Sequence, residues 1–109
     1  MRFMLIHYLD ETTLPWTEDE DRALEAWDAE MDERGILVGG GRLRPPGETT
    51  TLQVRGGELL RTDGPFAETK EQIAGYSELE CTDLEQAIEV SARHPTAALG
   101  TFELRPYQD

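Results

Sequence analysis

The sequence has little cysteine, few basic residues and no long apolar run, and each shortage excludes a class of protein. The one cysteine, Cys81, cannot form an internal disulfide, which favours a reducing compartment such as the cytoplasm. Glu80 and Asp83 lie close to it in the chain and disfavour a thiolate, so a catalytic cysteine is not expected. No stretch approaches the ~20 apolar residues of a membrane span, and the start of the chain lacks the cleavage site of a signal peptide.

The shortage of basic residues excludes direct binding to nucleic acids and to anionic membranes. Ten Lys and Arg residues stand against 23 Asp and Glu residues, which gives a net charge of -13. Proteins that bind nucleic acids need a basic stripe to neutralise phosphates, and this chain repels them. The acidic residues are spread along helical and loop segments, which is typical of a solubilising surface. The alternative interpretation is a basic protein partner.

The size of the chain predicts a single domain over residues 1–109. Scaling relations give ~6,000 Å² of folded surface against ~18,000 Å² unfolded, so roughly two-thirds of the surface is buried. The hydrophobic fraction is only 38% and the mean hydropathy is -0.56. A small polar domain of this kind gains stability by burying further surface against a partner.

Local patterns predict the order β-α-β-(ββ)-β-α-β. The strands are predicted over 2–9, 36–38, 49–55, 58–61, 71–80 and 101–105, and the helices over 17–34 and 82–93. Thr17 with Glu20, and Thr82 with Glu85, form capping boxes, and Pro15 closes the loop before the first helix. Each helix crosses between strands, which favours an α+β, ferredoxin-like split βαβ fold with both helices on one face of the sheet.

The first strand is apolar on both faces, which predicts a homodimer. Alternation along 2–9 directs one set of side chains to one face and a second set to the other. The first set is Phe3, Leu5, His7 and Leu9, and the second is Met4, Ile6 and Tyr8. By the same alternation Tyr76 opposes Ile73 and Leu79. Because two helices cover only one face, a sheet from a second copy is expected on the other.

The loop over 62–71 holds the densest group of ionisable residues. Asp63 is suited to accept backbone N–H bonds from the turn, Phe66 to fill the core, and Lys70 to hold an anion. The alternative interpretation is a purely structural loop, held by its turn, whose charged side chains are exposed to solvent. The candidate catalytic residues are Asp63, Glu68, Asp10 and His7, and the candidate ligand-binding residues are Lys70, Phe66 and Tyr8.

The histidines and the glycine-rich segment give weaker signals. His7 lies in the middle of a strand, either as a hydrogen-bonded core or interface residue or as a general base lining a cleft. His94 follows a helix end, where the helix dipole favours an imidazolium. No metal or other cofactor is expected, because two distant histidines without a cysteine pair make a poor ligand set. The triplet 39–41 lacks the features of a phosphate-binding loop and predicts a hairpin corner or a close subunit contact.

The run Asp-Gly-Pro-Phe-Ala-Glu-Thr-Lys-Glu over 63–71, followed by Gly75-Tyr76, closely resembles the signature of the DGPF branch of the YCII-related family. The resemblance covers nearly the whole chain. Residues 2–11 resemble the family's opening strand with its Asp-Glu step, 35–41 its glycine-rich strand, and 103–106 its terminal strand. The resemblance implies a ferredoxin-like fold, sheets packed face to face in a dimeric α/β barrel, and a cleft near the motifs.

Two hypotheses for function follow from this resemblance. Some members are thought to use a His-Asp pair at the end of the first strand, with lyase-type chemistry. Here Asp10 matches the aspartate, but Leu9 precedes it and His7 lies two residues earlier. The pair is therefore not continuous in this sequence. The first hypothesis is an enzyme of lyase or hydrolase type acting on a small anionic or aromatic ligand. The second is a regulatory or ligand-sensing dimer without turnover, since DGPF-type domains are associated with sigma factors.

Overall fold

A computed structural model describes residues 1–10, 12 and 16–108, and the described elements follow the predicted order. They are β1 (Arg2–Leu9), α1 (Glu18–Glu33), β2 (Leu37–Arg42), β3 (Thr50–Arg55), β4 (Glu58–Asp63), β5 (Gln72–Glu80), α2 (Leu84–Ala92) and β6 (Thr101–Pro106). The predicted roles of Glu11 in the family's opening step and of Pro15 in the loop lie outside the described residues. No described helix is long and apolar enough to cross a membrane.

Helix α1 has the termini that its sequence predicts. The Thr17 side chain accepts a hydrogen bond from the Asp19 backbone, and the Glu20 carboxylate accepts one from the Thr17 backbone, which completes the capping box. The helix stops at Gly35, whose φ of 71° is readily adopted only by glycine. These two signals fix where α1 begins and ends.

The main sheet has four antiparallel strands in the order β2-β5-β1-β6. Strand β5 separates β1 from β2, and β1 separates β5 from β6, so each helix joins two parallel strands across a third. This is the split βαβ arrangement of a ferredoxin-like fold. Strands β3 and β4 form a separate two-stranded hairpin between β2 and β5.

One face of the main sheet forms the core with both helices. Phe3 and Leu5 from β1, Trp27 and Met31 from α1, and Val90 from α2 are buried together there. The Trp27 Nε1 donates a hydrogen bond to the Val90 carbonyl at 2.9 Å, so the indole joins the two helices as well as filling the core. Burial also raises the pKa of the Cys81 thiol at the edge of this cluster, which opposes thiolate formation.

The opposite face of the main sheet carries an apolar stripe that no described helix covers. The register pairs Ile6 with Tyr76 and Tyr8 with Ile73 across β1 and β5. A bulge at Ala74 shifts the alternation, so Ile73 shares this face with Tyr76 rather than opposing it. That corrects the expectation from simple alternation and enlarges the apolar stripe.

Strands β2 and β4 and helix α2 have boundaries that differ from the sequence prediction by more than one residue. Strand β2 continues through Gly39–Gly41 rather than turning a corner there, and β4 continues to Asp63. Helix α2 is capped by Asp83, which accepts from the Gln86 backbone, while the Gln86 side chain accepts from the Thr82 backbone. The capping residues are therefore Asp83 and Gln86, each one residue after the predicted pair Thr82 and Glu85. The Gln86 side chain makes the backbone hydrogen bond expected of Glu85.

Candidate functional site

A cavity lies between α1 and the helix-covered face of the sheet. Its volume is about 660 Å³, and both histidines line it; we call it the histidine cavity. Strands β1 and β5 supply His7 and Ser77 to its floor, and the segment after α2 supplies His94 and Thr96. The volume falls within the usual range for sites that hold small organic ligands.

His7 is buried in the floor of the histidine cavity, with 6% of its surface exposed. Its Nε2 lies 3.1 Å from the Ser77 hydroxyl on the neighbouring strand. The residue opposite His7 on β5 is Gly75, which has no side chain to fill the space beside the imidazole. The β5 bulge lies at Ala74, the residue before Gly75, so the sheet is irregular beside His7, as sheets often are near functional sites.

His94 is held in one tautomer by the segment that follows α2. The Thr96 backbone N–H donates to His94 Nδ1 at 3.2 Å, and the Thr96 hydroxyl lies 3.0 Å from the same nitrogen. Because Nδ1 accepts a hydrogen bond, the proton of the neutral ring lies on Nε2. His94 therefore has a hydrogen-bond donor available on its other nitrogen.

The two imidazoles meet within one aromatic cluster. The His7 and His94 ring centroids are 4.5 Å apart with an edge-on geometry, and Trp27 and Phe102 pack against them at 4.7 Å. Burial lowers the pKa of His7 to about 4. Burial, and secondarily the neighbouring His7, lower the pKa of His94 to about 3. At neutral pH the cavity thus holds two uncharged rings.

Charged groups lie towards the rim of the histidine cavity. The Arg42 guanidinium stacks over the Trp16 ring, 4.8 Å from its centroid. Asp28 and Asp32 face the cavity from α1, one turn apart, and partial burial raises the pKa of Asp28. The stacking on Trp16 holds the Arg42 cation at one position in the lining of the cavity.

Part of the predicted site lies in a second cavity of about 530 Å³, which we call the motif cavity. Asp10, Glu68 and Lys70 line it together. The Asp10 carboxylate accepts hydrogen bonds from the Thr12 backbone at 3.1 Å and the Thr12 hydroxyl at 2.6 Å. Leu9 lines both cavities, so they adjoin at the end of β1, but His7 lines only the histidine cavity.

The other predicted site residues lie outside both cavities. Asp63 ends β4 and is exposed, and the turn after it is held instead by Thr51, whose hydroxyl donates to the Gly64 carbonyl at 2.7 Å. Phe66 is 80% exposed, so it does not fill the core as expected. Tyr8 lies on the uncovered sheet face, where a hydrogen bond to Glu103 raises its pKa.

Sequence reasoning missed several residues of the histidine cavity. His94 was expected as an imidazolium at a helix end, but it is buried and uncharged. Ser77, Thr96 and Arg42 carry no motif, and only the fold brings them together. One signal for His94 was available in the sequence, because Thr96 follows it by two residues. At that spacing the backbone N–H and the hydroxyl of the threonine can both reach the same nitrogen of the imidazole.

No group of three or more metal-ligating side chains occurs among the described residues. The histidine cavity offers two imidazoles, which is fewer than the three or four protein ligands of typical zinc sites. Independence from metal and other cofactors stays a prediction.

Comparison with known proteins gives a family and a fold. The sequence model of the YCII-related domain family matches residues 1–109 of this chain. An uncharacterised protein of Rhizobium meliloti (strain 1021) is 35% identical, over 97% of this chain and 91% of its own length. The solved structure of a 5-chloro-2-hydroxyhydroquinone dehydrochlorinase from Burkholderia phenoliruptrix AC1100, in complex with 2,5-dihydroxybenzoquinone, matches 99% of this chain and 94% of its own with a TM-score of 0.60. At 14% identity that likeness shows the fold.

Proposed function

The chain belongs to the YCII-related domain family, and we propose that it binds a small hydroxylated or anionic organic molecule in the histidine cavity and performs acid/base chemistry of lyase type there. The observation that carries the proposal is the meeting of two buried, uncharged imidazoles in a cavity of about 660 Å³. Buried titratable groups with shifted pKa values in a cleft are a recognised mark of functional sites. The dehydrochlorinase and its quinone ligand support an aromatic compound as the ligand class.

The two histidines suit different roles in this chemistry. His7 is the general base, because its uncharged ring lies in the floor of the cavity beside Ser77. A ligand that becomes anionic raises the pKa of a nearby imidazole, so proton transfer to His7 becomes favourable as negative charge develops. His94 is a donor, since Thr96 holds its proton on Nε2. Arg42 at the rim attracts the anionic group of the ligand.

The motif loop defines a second part of the proposal. The motif over 63–71 supports membership of the DGPF branch. Lys70, the one lysine of the chain, and Glu68 lie with Asp10 in the motif cavity and are proposed to act on ligand entry rather than beside His7. Asp63, Phe66 and Tyr8 line neither cavity, so in place of their predicted catalytic and ligand-binding roles we propose that they form part of a surface for a partner copy.

A homodimer completes the proposed architecture. The uncovered apolar stripe with Ile6, Ile73 and Tyr76 suits a second sheet, packed face to face as in a dimeric α/β barrel. The single cysteine supports a cytoplasmic location.

The test is a thermal-shift screen of small organic acids, phenols and phosphates against the wild type and two variants. A compound bound at a hundred times its Kd stabilises the folded protein by about 2.7 kcal/mol. His7→Gln should abolish the shift for a true ligand, and Tyr8→Phe, outside the cavity, should leave it unchanged. Hits are then incubated with protein and followed by absorbance and chromatography. A panel that binds equally to wild type and His7→Gln would refute the assignment of the cavity.

Ligand sensing without turnover is the second candidate function, and the low pKa values of both histidines favour it. An imidazole with a pKa of about 3 or 4 is a weak base at neutral pH. A dimer associated with sigma-factor-linked transcription would need binding alone. Binding that depends on His7, with no product formed at long incubation, would select this function over the enzyme.

A further inference from the structure

The hairpin of β3 and β4, which we call the arm, has an apolar face without cover among the described residues. The arm forms its own two-stranded sheet, apart from the main sheet, and Gly56-Gly57 closes it with positive φ angles. Its register pairs Val54 with Leu59 and Leu52 with Arg61, which places the three apolar residues on one face. They are 61%, 60% and 59% exposed in the order Val54, Leu59, Leu52.

An isolated hairpin of this kind is at best marginally stable in water. The other face of the arm is mostly polar, with Thr51, Gln53 and Thr62 beside Leu60. The apolar residues therefore follow a face rather than a random scatter. A face patterned in this way is typical of a strand pair that is packed on one side.

The chain exposes more surface than a compact monomer of its size, and its dimensions show by how much. Its accessible surface is 7570 Å², whereas a compact monomer of this mass exposes ~6,100 Å². Its radius of gyration is 15.8 Å against ~13 Å for a compact chain, and it is only 18 Å thin in one direction. Burying the excess on two chains would remove ~3,000 Å² in all, which is the range of obligate homodimers.

We propose that the apolar face of the arm packs against a second copy of this chain. The inference rests on the proposed dimer and extends it, because it adds the arm to the contact between sheets. The charges favour the same occupant. Arg55, Glu58, Arg61 and Asp63 make the arm neutral within a chain of net charge -13, so contact through the arm avoids the repulsion that two such chains otherwise have.

Adjacent leucines on opposite faces of β4 provide a matched test. Leu59→Lys places a charge on the apolar face, and Leu60→Lys places the same charge on the other face of the same strand. Sedimentation equilibrium should show the dimer Kd of Leu59→Lys raised by roughly a hundredfold, since two-fold symmetry puts the substitution in the interface twice. Leu60→Lys should change the Kd by less than about threefold. Circular dichroism and melting curves establish that each variant folds.

Hydrogen exchange of the wild type keeps the proposal testable if Leu59→Lys fails to fold. Amides of the arm over 50–63 should lose protection on dilution below the Kd, together with those of β1 and β5. A dimer whose arm amides exchange equally fast at high and low concentration, or a Leu59→Lys dimer of unchanged Kd, would overturn the arm contact and leave the sheet dimer standing. A wild-type monomer at all concentrations, including one whose arm binds another protein or a lipid surface, would overturn both. The ligand screen measures the histidine cavity independently of either result.

Discussion

Trp27 shows how one side chain joins separate parts of the fold. It packs in the core against Phe3 and Met31, donates to the Val90 carbonyl on the other helix, and supports the edge of the His94 ring. Its spacing from Leu24 and Met31 in the sequence places it on one apolar stripe of α1, which predicts burial but neither the hydrogen bond nor the contact with His94. The stability of the core and the shape of the histidine cavity therefore depend on the same residue.

Replacing Trp27 with alanine should cost ~3–5 kcal/mol of unfolding free energy, because it removes a large buried ring and leaves a cavity. Trp27→Phe should cost less, about 1–3 kcal/mol, since most of the volume stays while the Val90 carbonyl loses its donor. Urea denaturation gives these values. Trp16→Ala, a half-exposed tryptophan outside the core, is the control and should cost under ~1 kcal/mol. A loss below about 1 kcal/mol for Trp27→Ala would contradict its burial.

The buried histidines should make the protein sensitive to acid. His7 has a folded pKa of about 4, below the unfolded value of 6.5, so the unfolded chain binds a proton that the folded chain does not. This contribution is complete above pH 6.5 and is lost as the pH falls towards 4. His7→Phe removes it, so relative to that variant the wild type should lose on the order of 2 kcal/mol between pH 7 and pH 4.

Denaturant unfolding of both proteins across this pH range measures the difference directly. The carboxylates of the chain titrate in both proteins, so their effect cancels in the comparison. Parallel stability curves for wild type and His7→Phe would mean that His7 is solvated and titrates normally.

At the scale of elements, β2 is a strand that depends on glycine. Gly40 has a φ of 129°, and a side chain there would meet the Tyr76 carbonyl oxygen at 2.4 Å. The bare backbone of β2 also forms a wall of the histidine cavity. Glycine at this position thus serves the close approach of β2 to β5 and the space available to a ligand.

Gly40→Ala should destabilise the protein by at least ~2 kcal/mol, because both the backbone conformation and the contact with Tyr76 are incompatible with a side chain. Gly41→Ala is the matched control in the same strand, since nothing lies within 4 Å of a side chain placed there. It should cost under ~1 kcal/mol. Equal losses for the two variants, measured by urea denaturation, would show that the strand tolerates side chains throughout.

At the scale of the whole molecule, the thin shape and the uncovered sheet face predict a dimer. The wild type should sediment at micromolar concentration with twice the chain mass of 12.3 kDa. Ile73→Glu should shift it to the monomer, because the charge enters the apolar stripe. Ile88→Glu is the control, since both isoleucines are 45% exposed but Ile88 lies on α2, away from the sheet face. A dimer that survives Ile73→Glu would place the interface elsewhere.

The sequence by itself determined the order of the elements and the ends of α1. Capping by Thr17 and Glu20, the stop at Gly35 and the burial of Trp27 are set by interactions within a few residues, which local pattern reports faithfully. The YCII-related family was also readable, because its motif is a continuous run over 63–71. Local pattern was less exact at α2, where two adjacent residue pairs both suit a cap.

Only the tertiary structure decided what the candidate site contains. His7 and His94 are far apart in the chain. They meet because the segment after α2 packs on the face of the sheet to which His7 points from β1. Alternation could not reveal the bulge at Ala74, since an extra residue shifts every later side chain to the other face. Proximity in sequence grouped His7 with Asp10, but the two residues line different cavities. His7 points from within β1 to the helix-covered face, whereas Asp10 follows the end of the strand and no longer shares its alternation.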